Sequence, residues 1–197
     1  TPVFADVRAL ETLPEREWLQ GWAELVKQAW IAGGGLWTEV SGGPWTHAPF
    51  WVRDAAEVKL RVVVADPFER GTRRALLNMG HTVGHAVESM VVALGLDYGH
   101  GDCVALGLSV ESRILDALGQ PGSAERSALR GRIAADFQLD ALRNMDSAAV
   151  WAAMQHDKKK RAGELRIVWS PEPGASEIVL GIDEETFTTA WIADAAH

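Results

Sequence analysis

Two histidines that lie four residues apart, His81 and His85, stand in the stretch LNMGHTVGHAVE at 77–88. Residues at this spacing lie on one side of a helix, and Asn78, three residues before His81, lies near the same edge. Neutral imidazoles in this arrangement suit a metal ion or the oxygens of a ligand. A hydrogen-bonded histidine pair is the competing interpretation, because the H-E-x-x-H pattern of a metalloprotease is not present.

Further groups along the chain suggest how such a site would be completed. His100 lies in YGHGD, where flanking glycines let the backbone come close to a site. Glu24 and Lys27 are three residues apart on a predicted helix, where a solvated ion pair is the simplest expectation. A carboxylate together with two imidazoles would instead make an open three-ligand zinc site.

Basic side chains are a second set of candidates. Each of them taken alone is typical of surface charge, but together with a metal they would suit an anionic substrate, since Arg and Lys bind phosphate and carboxylate. The candidates are Lys59, Arg73, Arg74, Lys158 and Lys159.

The elements that must position these groups are mostly helices. Apolar residues at helical spacing predict a helix that ends at the glycines 33–35, and a second helix in the stretch FWVRDAAEVKLRVVVAD that ends at Pro67. One helix from about 73 to 94 carries the two histidines, and another runs from Cys103 to Leu118. His100 then lies in the glycine-rich connection between the last two.

In the C-terminal third, the spacing of apolar residues changes from a helical period to a strand period near the end of the chain. Ser123 is a predicted N-cap, as is Asp146 or Ser147, each followed by a helix. LRIVW and SEIVLG predict a small β-hairpin before a closing helix. With no internal repeat and no long linker, the sequence predicts one mainly α domain over residues 1–197.

Composition narrows the class of protein. The formal net charge is −8, from 19 Lys+Arg against 27 Asp+Glu, which argues against a nucleic-acid or anionic-membrane binder. Cys103 is the only cysteine, which is typical of a reducing compartment. With no apolar run of about 20 residues and no visible leader pattern, we expect a cytoplasmic location. No G-x-G-x-x-G follows a predicted strand, so this chain alone is not expected to hold a dinucleotide.

Five blocks read in order resemble the C-terminal domain of the 3-dehydroquinate synthase family, from about Pro2 to Gly181. They are TLPEREWLQGWAELVKQAW, EVKLRVVVAD, RRALLNMGHTVGHAVE, YGHGDCVALGL and HDKKKRAGELRIV. The element LNxGHTxGHA followed by HG is the most specific of them. The resemblance implies a largely helical domain that binds zinc or cobalt and an anionic sugar phosphate.

Residue roles are implied by this resemblance. The metal ligands would be Glu24, His81 and His100. The catalytic and substrate-binding residues would be Lys27, Lys59, Asn78, His85, Arg74 or Arg73, and Lys158 or Lys159. The helix edge that carries Asn78, His81 and His85 would then be shared between metal and substrate.

The implied reaction is the NAD- and zinc-dependent cyclisation of 3-deoxy-D-arabino-heptulosonate 7-phosphate to 3-dehydroquinate with loss of phosphate, a step of the shikimate pathway and of aromatic amino acid biosynthesis. The family holds NAD mainly in an N-terminal domain that is absent from this chain. We therefore expect that domain as a partner, in cis or in trans, and no turnover by this chain alone. The sequence leaves a homodimer open.

Two details depart from the usual pattern of the family, and a third bears on the type of substrate. The stretch DPFERGTRRALLN is one residue longer than is usual, and Arg74 keeps the spacing to Asn78 better than Arg73 does. Asp102 stands where glutamate usually follows HG. Asn78 favours the dehydroquinate type over the deoxy-scyllo-inosose type. Other sugar-phosphate cyclases, including the aminodehydroquinate type, and a non-catalytic metal- or anion-binding domain are the alternatives.

Overall fold

Helices make up most of the chain in the computed structural model, which describes residues 4–43, 50–68, 71–158 and 165–196. The α-helices are α1 (Glu15–Ala32), α2 (Gly34–Gly42), α3 (Phe50–Ala65), α4 (His81–Leu94), α5 (His100–Ala117), α6 (Ser123–Asp136), α7 (Asp140–Arg143), α8 (Ser147–Lys158) and α9 (Glu184–Ala195). Short 3-10 helices cover Val7–Leu10 and Arg74–Asn78. No helix in these ranges is long and apolar enough to cross a membrane.

The predicted hairpin is present near the C-terminal end. Strands β1 (Arg166–Trp169) and β2 (Ile178–Gly181) pair antiparallel, with Arg166 opposite Gly181 and Trp169 opposite Ile178. The prediction of a mainly α domain with one small hairpin is therefore confirmed for the described residues.

Helix α5 lies at the centre of the fold. It packs against α1, α4, α6 and α9, and every residue from 101 to 112 is buried. A helix that is buried all round must exclude bulky polar groups or pair them internally. The contacts of α5 with four other helices therefore fix the position of its first residue, His100.

Glycines bring α4 against α5. A Cβ on Gly107 of α5 would lie 1.9 Å from the carbonyl oxygen of Gly80, just before α4. A Cβ on Gly84 would lie 3.1 Å from the carbonyl oxygen of Cys103. The glycines that precede His81 and His85 thus allow the two backbones to approach, at a cost in helix propensity.

The prediction of one helix from about 73 to 94 is wrong, because the chain turns at Gly80. Gly80 has φ of 73°, a left-handed conformation that cannot continue an α-helix. The segment before it is the 3-10 helix Arg74–Asn78, and α4 begins at His81. Asn78 is therefore on a separate element from the two histidines.

Helix starts also differ from the prediction at two points. His100 is the first residue of α5 and not a loop residue, because Gly99 is its N-cap and Asp102 accepts the Gly99 N–H at 2.8 Å. Ser123 is the first residue of α6, and Gly122 in the left-handed region is the cap.

The start of α8 agrees with one of the two predicted caps. The Asp146 carboxylate accepts the N–H groups of Ala148 and Ala149, at 3.3 Å each. Asp146 therefore caps α8. Helices α2 and α7 were not predicted, since both are short and lack a clear apolar period.

We predict that Gly107→Ala destabilises the fold by ~3 kcal/mol or more, because the added methyl would overlap the Gly80 carbonyl and force α4 away from α5. Gly131→Ala on α6 is the control, since a Cβ there meets nothing within 4 Å and should raise stability by up to ~1 kcal/mol. Urea unfolding of both variants measures the difference. Equal stability of the two variants would contradict the packing described here.

Candidate metal and substrate site

Three elements bring a carboxylate and two imidazoles to one point. Glu24 comes from α1, His81 is the first residue of α4, and His100 is the first residue of α5. One donor atom from each lies within 4.8 Å of the others. Glu24 Oε1 is 3.3 Å from His81 Nε2 and 3.8 Å from His100 Nε2. The donor types and their convergence suit a divalent transition metal.

The backbone orients the His81 ring. Its Nδ1 lies 2.9 Å from the carbonyl oxygen of Met79. A carbonyl can only accept, so we assign a ring proton to Nδ1, and Nε2 is the nitrogen that faces Glu24 and would bind a metal ion. A metal-binding histidine typically has this tautomer, fixed by a carbonyl or carboxylate behind it.

Lys27 lies behind Glu24. Its Nζ is 2.7 Å from Glu24 Oε2 and 2.8 Å from the carbonyl oxygen of Leu77, and Lys27 is only 3% exposed. The expected solvated ion pair is therefore wrong, because α1 buries this face against the segment before α4. One carboxylate oxygen is held by Lys27, which leaves Oε1 for the histidines.

Electrostatics keep Glu24 ionised. Burial raises the pKa of this carboxyl, but hydrogen bonds and charge from His81 and Lys27 outweigh burial and lower it to about 2. Burial lowers the pKa of Lys27, while its contact with Glu24 raises it in part. A carboxylate is thus present at neutral pH, as a metal ligand requires.

His85 and Glu88 lie beside this cluster on α4. The His85 ring centroid is 5.1 Å from that of His81 and 6.1 Å from that of His100. Glu88 Oε1 lies 3.1 Å from Nδ1 of His100. Three imidazoles and two carboxylates therefore lie together where α1, α4 and α5 meet. Sequence reasoning missed Glu88, although its spacing of three from His85 was a signal.

Glu111 anchors the start of α4 from the buried centre of α5. Its carboxylate accepts the Gly80 N–H at 2.8 Å and the Val83 N–H at 3.1 Å, and also the Trp169 Nε1–H at 2.7 Å. Burial raises the pKa of Glu111, and these hydrogen bonds oppose that shift. Glu111 thus satisfies helix donors that would otherwise lack partners. Its role was not predicted, although a glutamate inside an apolar stretch of the sequence was a signal for it.

Asp102 has a structural role at the start of α5. Besides the Gly99 N–H, it accepts the side-chain amide of Gln20 at 2.8 Å. The Gln20 side chain in turn accepts the Asp102 N–H at 3.2 Å. Asp102 therefore joins the start of α5, where His100 lies, to α1.

The structure describes the predicted substrate-binding residues to different extents. Lys59 on α3 is exposed and close enough for its charge to lower the pKa of Lys27. Asn78 is exposed at the end of the 3-10 helix. Lys158 ends α8, but its side chain and the whole of Lys159 lie outside the described residues.

Arg73 and Arg74 differ in their partners. Arg73 Nη1 is 3.1 Å from Glu177 Oε2, and Thr72 donates to the same carboxylate at 3.2 Å. Arg74 instead donates to the carbonyl oxygen of Pro67 at 3.3 Å. Arg73 is therefore paired with an anion of the chain itself, which leaves Arg74 as the better candidate for an anionic ligand.

The fold and the cluster together define a helical domain that presents a three-donor set suited to a metal ion. The family model described as 3-dehydroquinate synthase C-terminal matches residues 21–160. The match covers most of the chain, and the chain belongs to this family. The resemblance stated from the sequence is thereby confirmed.

Solved structures of sugar-phosphate cyclases share the fold. A 2-deoxy-scyllo-inosose synthase complexed with carbaglucose-6-phosphate, NAD+ and Co2+ matches 96% of this chain and 54% of its own, with a TM-score of 0.78 and 20% identity. ValA, a 2-epi-5-epi-valiolone synthase from Streptomyces hygroscopicus subsp. jinggangensis 5008 with NAD+ and Zn2+ bound, matches 97% of this chain and 54% of its own, with a TM-score of 0.75 and 20% identity. The chain thus spans about half the length of these proteins.

We predict that Glu111→Ala lowers the free energy of unfolding by ~3 kcal/mol or more, because three buried donors lose their acceptor. Glu125→Ala, at an exposed position on α6, is the control and should change it by no more than ~0.5 kcal/mol. Chemical denaturation of both variants makes the comparison. Similar losses in the two would show that the carboxylate does not anchor α4.

Proposed function

We propose that this chain is the metal- and substrate-binding part of a 3-dehydroquinate synthase. The reaction would convert 3-deoxy-D-arabino-heptulosonate 7-phosphate to 3-dehydroquinate with loss of phosphate, in the shikimate pathway and in the cytoplasm. The observation that carries the proposal is the convergence of Glu24, His81 and His100 in a chain of this family.

Glu24, His81 and His100 would hold the metal, zinc or cobalt. One carboxylate oxygen and two imidazole nitrogens leave coordination positions free, as in catalytic zinc sites. The metal would supply a Lewis acid for the substrate's hydroxyl groups. Lys27 would keep the second oxygen of Glu24 occupied, so that the carboxylate presents Oε1 to the metal.

The basic residues would bind the two anionic groups of the substrate. Lys59 is exposed and acts on Lys27 through its charge, and His85 is exposed beside His81. Arg74 would add a further charge. A phosphate bound by these cations would lie next to the site and serve as its own base for proton removal. Lys158 or Lys159 would join them. Asn78 would donate to a substrate oxygen and favours the dehydroquinate type.

NAD would be bound mainly by an N-terminal domain, in cis or in trans, and would supply a transient oxidation of a substrate hydroxyl that acidifies the neighbouring C–H. The turn from β2 to α9, residues 182–183, joins a strand to a helix without the glycine pattern that cradles a pyrophosphate. The task of this chain would be to bind and orient the substrate.

Turnover tests this proposal. The zinc-loaded chain with NAD+ and 3-deoxy-D-arabino-heptulosonate 7-phosphate should release no phosphate alone. It should release phosphate and form 3-dehydroquinate when the NAD-binding domain of a 3-dehydroquinate synthase is added or fused. The same pair with His81→Ala in this chain is the matched control and should be inactive, because a metal ligand is lost.

Two results would contradict the proposal. Turnover by this chain alone would show that no second domain is needed. Conversion by the completed pair of glucose 6-phosphate, the sugar phosphate that carbaglucose-6-phosphate resembles, in preference to the heptulosonate phosphate would favour the deoxy-scyllo-inosose type.

A further inference from the structure

A second set of metal donors lies beside the first. His85 and Glu88 project from one face of α4, three residues apart, and His100 faces them from the start of α5. Donor atoms of these three residues lie within 4.8 Å of one another. His85 and His100 are exposed and Glu88 is partly buried, so the set is open to solvent.

His100 belongs to both sets through different nitrogens. Its Nε2 lies 3.8 Å from Glu24 Oε1, while its Nδ1 lies 3.1 Å from Glu88 Oε1. The ring therefore lies between two carboxylates, one from α1 and one from α4. A neutral imidazole has one free lone pair, so it can serve one metal ion at a time without losing a second proton.

The chemistry of the second set suits the same class of ion as the first. Two imidazole nitrogens and a carboxylate oxygen are typical zinc ligands and also suit cobalt, nickel or copper. Binding there has two costs that the first set avoids. The Nδ1 proton that Glu88 accepts must leave, and the ion must share His100 with the first site.

We propose that His85, Glu88 and His100 form a second, weaker transition-metal site that overlaps the first site through His100. At excess metal, a second ion binds there and uses the His85 imidazole as a ligand. Since the proposed function gives His85 a contact with the substrate phosphate, an ion bound here excludes that contact. The site therefore makes the domain sensitive to excess zinc, a consequence that rests on the proposed function.

Metal titration of the metal-free full chain tests this proposal. The absorption spectrum of added Co2+ reports the ligands of each bound ion, and competition with a chromophoric chelator measures the affinity for Zn2+. The wild-type chain should bind one ion tightly and a second at least about tenfold more weakly. His85→Ala should abolish the weak event and keep the tight one. Glu24→Ala should abolish the tight event and strengthen the weak one, because His100 is then free for the second site.

His156→Ala on α8 is the control, an exposed histidine that belongs to neither donor set, and should keep both events. A single ion whose binding His85→Ala leaves unchanged, or a weak event that survives in His85→Ala, would overturn the second site. A single ion whose binding His85→Ala abolishes and Glu24→Ala leaves intact would instead contradict the proposed function alone.

Discussion

The close approach of α4 to α5 is the constraint on which the site depends. Gly107 leaves no room for a Cβ beside the carbonyl of Gly80, so the two backbones touch where α4 begins. His81 starts α4 and His100 starts α5. Only with the helices this close do their first residues face the same carboxylate of α1. Glycine lowers helix propensity, and at Gly84, just before His85, the close contact of α4 with α5 offsets that cost.

Glu111 fixes the orientation of α4 at this contact. A buried carboxylate with three N–H donors fixes both the turn at Gly80 and the first turn of α4, and its third donor, Trp169, ties them to the hairpin. The hairpin, remote in sequence, thereby helps to orient a helix that carries candidate metal ligands. On the other side, Asp102 and Gln20 hold the start of α5 to α1 in the same way.

The helices with strong apolar periods and the hairpin could be predicted from the sequence, because they follow from local patterns. The sequence could not predict the break before His81, since the left-handed turn at Gly80 depends on a carboxylate 31 residues away. The burial of Lys27 could not be predicted for a related reason, because the carbonyl oxygen that accepts its hydrogen bond belongs to Leu77 on another element. The set Glu24, His81 and His100 came from family resemblance, and spacing alone left the choice of imidazoles open.

Anomalous X-ray scattering at the zinc edge, on crystals of the chain loaded with one equivalent of zinc, tests the central claim most directly. The account predicts one strong peak within ~2.0–2.2 Å of Glu24 Oε1, His81 Nε2 and His100 Nε2. A main peak at any other set of donors, or no bound zinc at all, would contradict it.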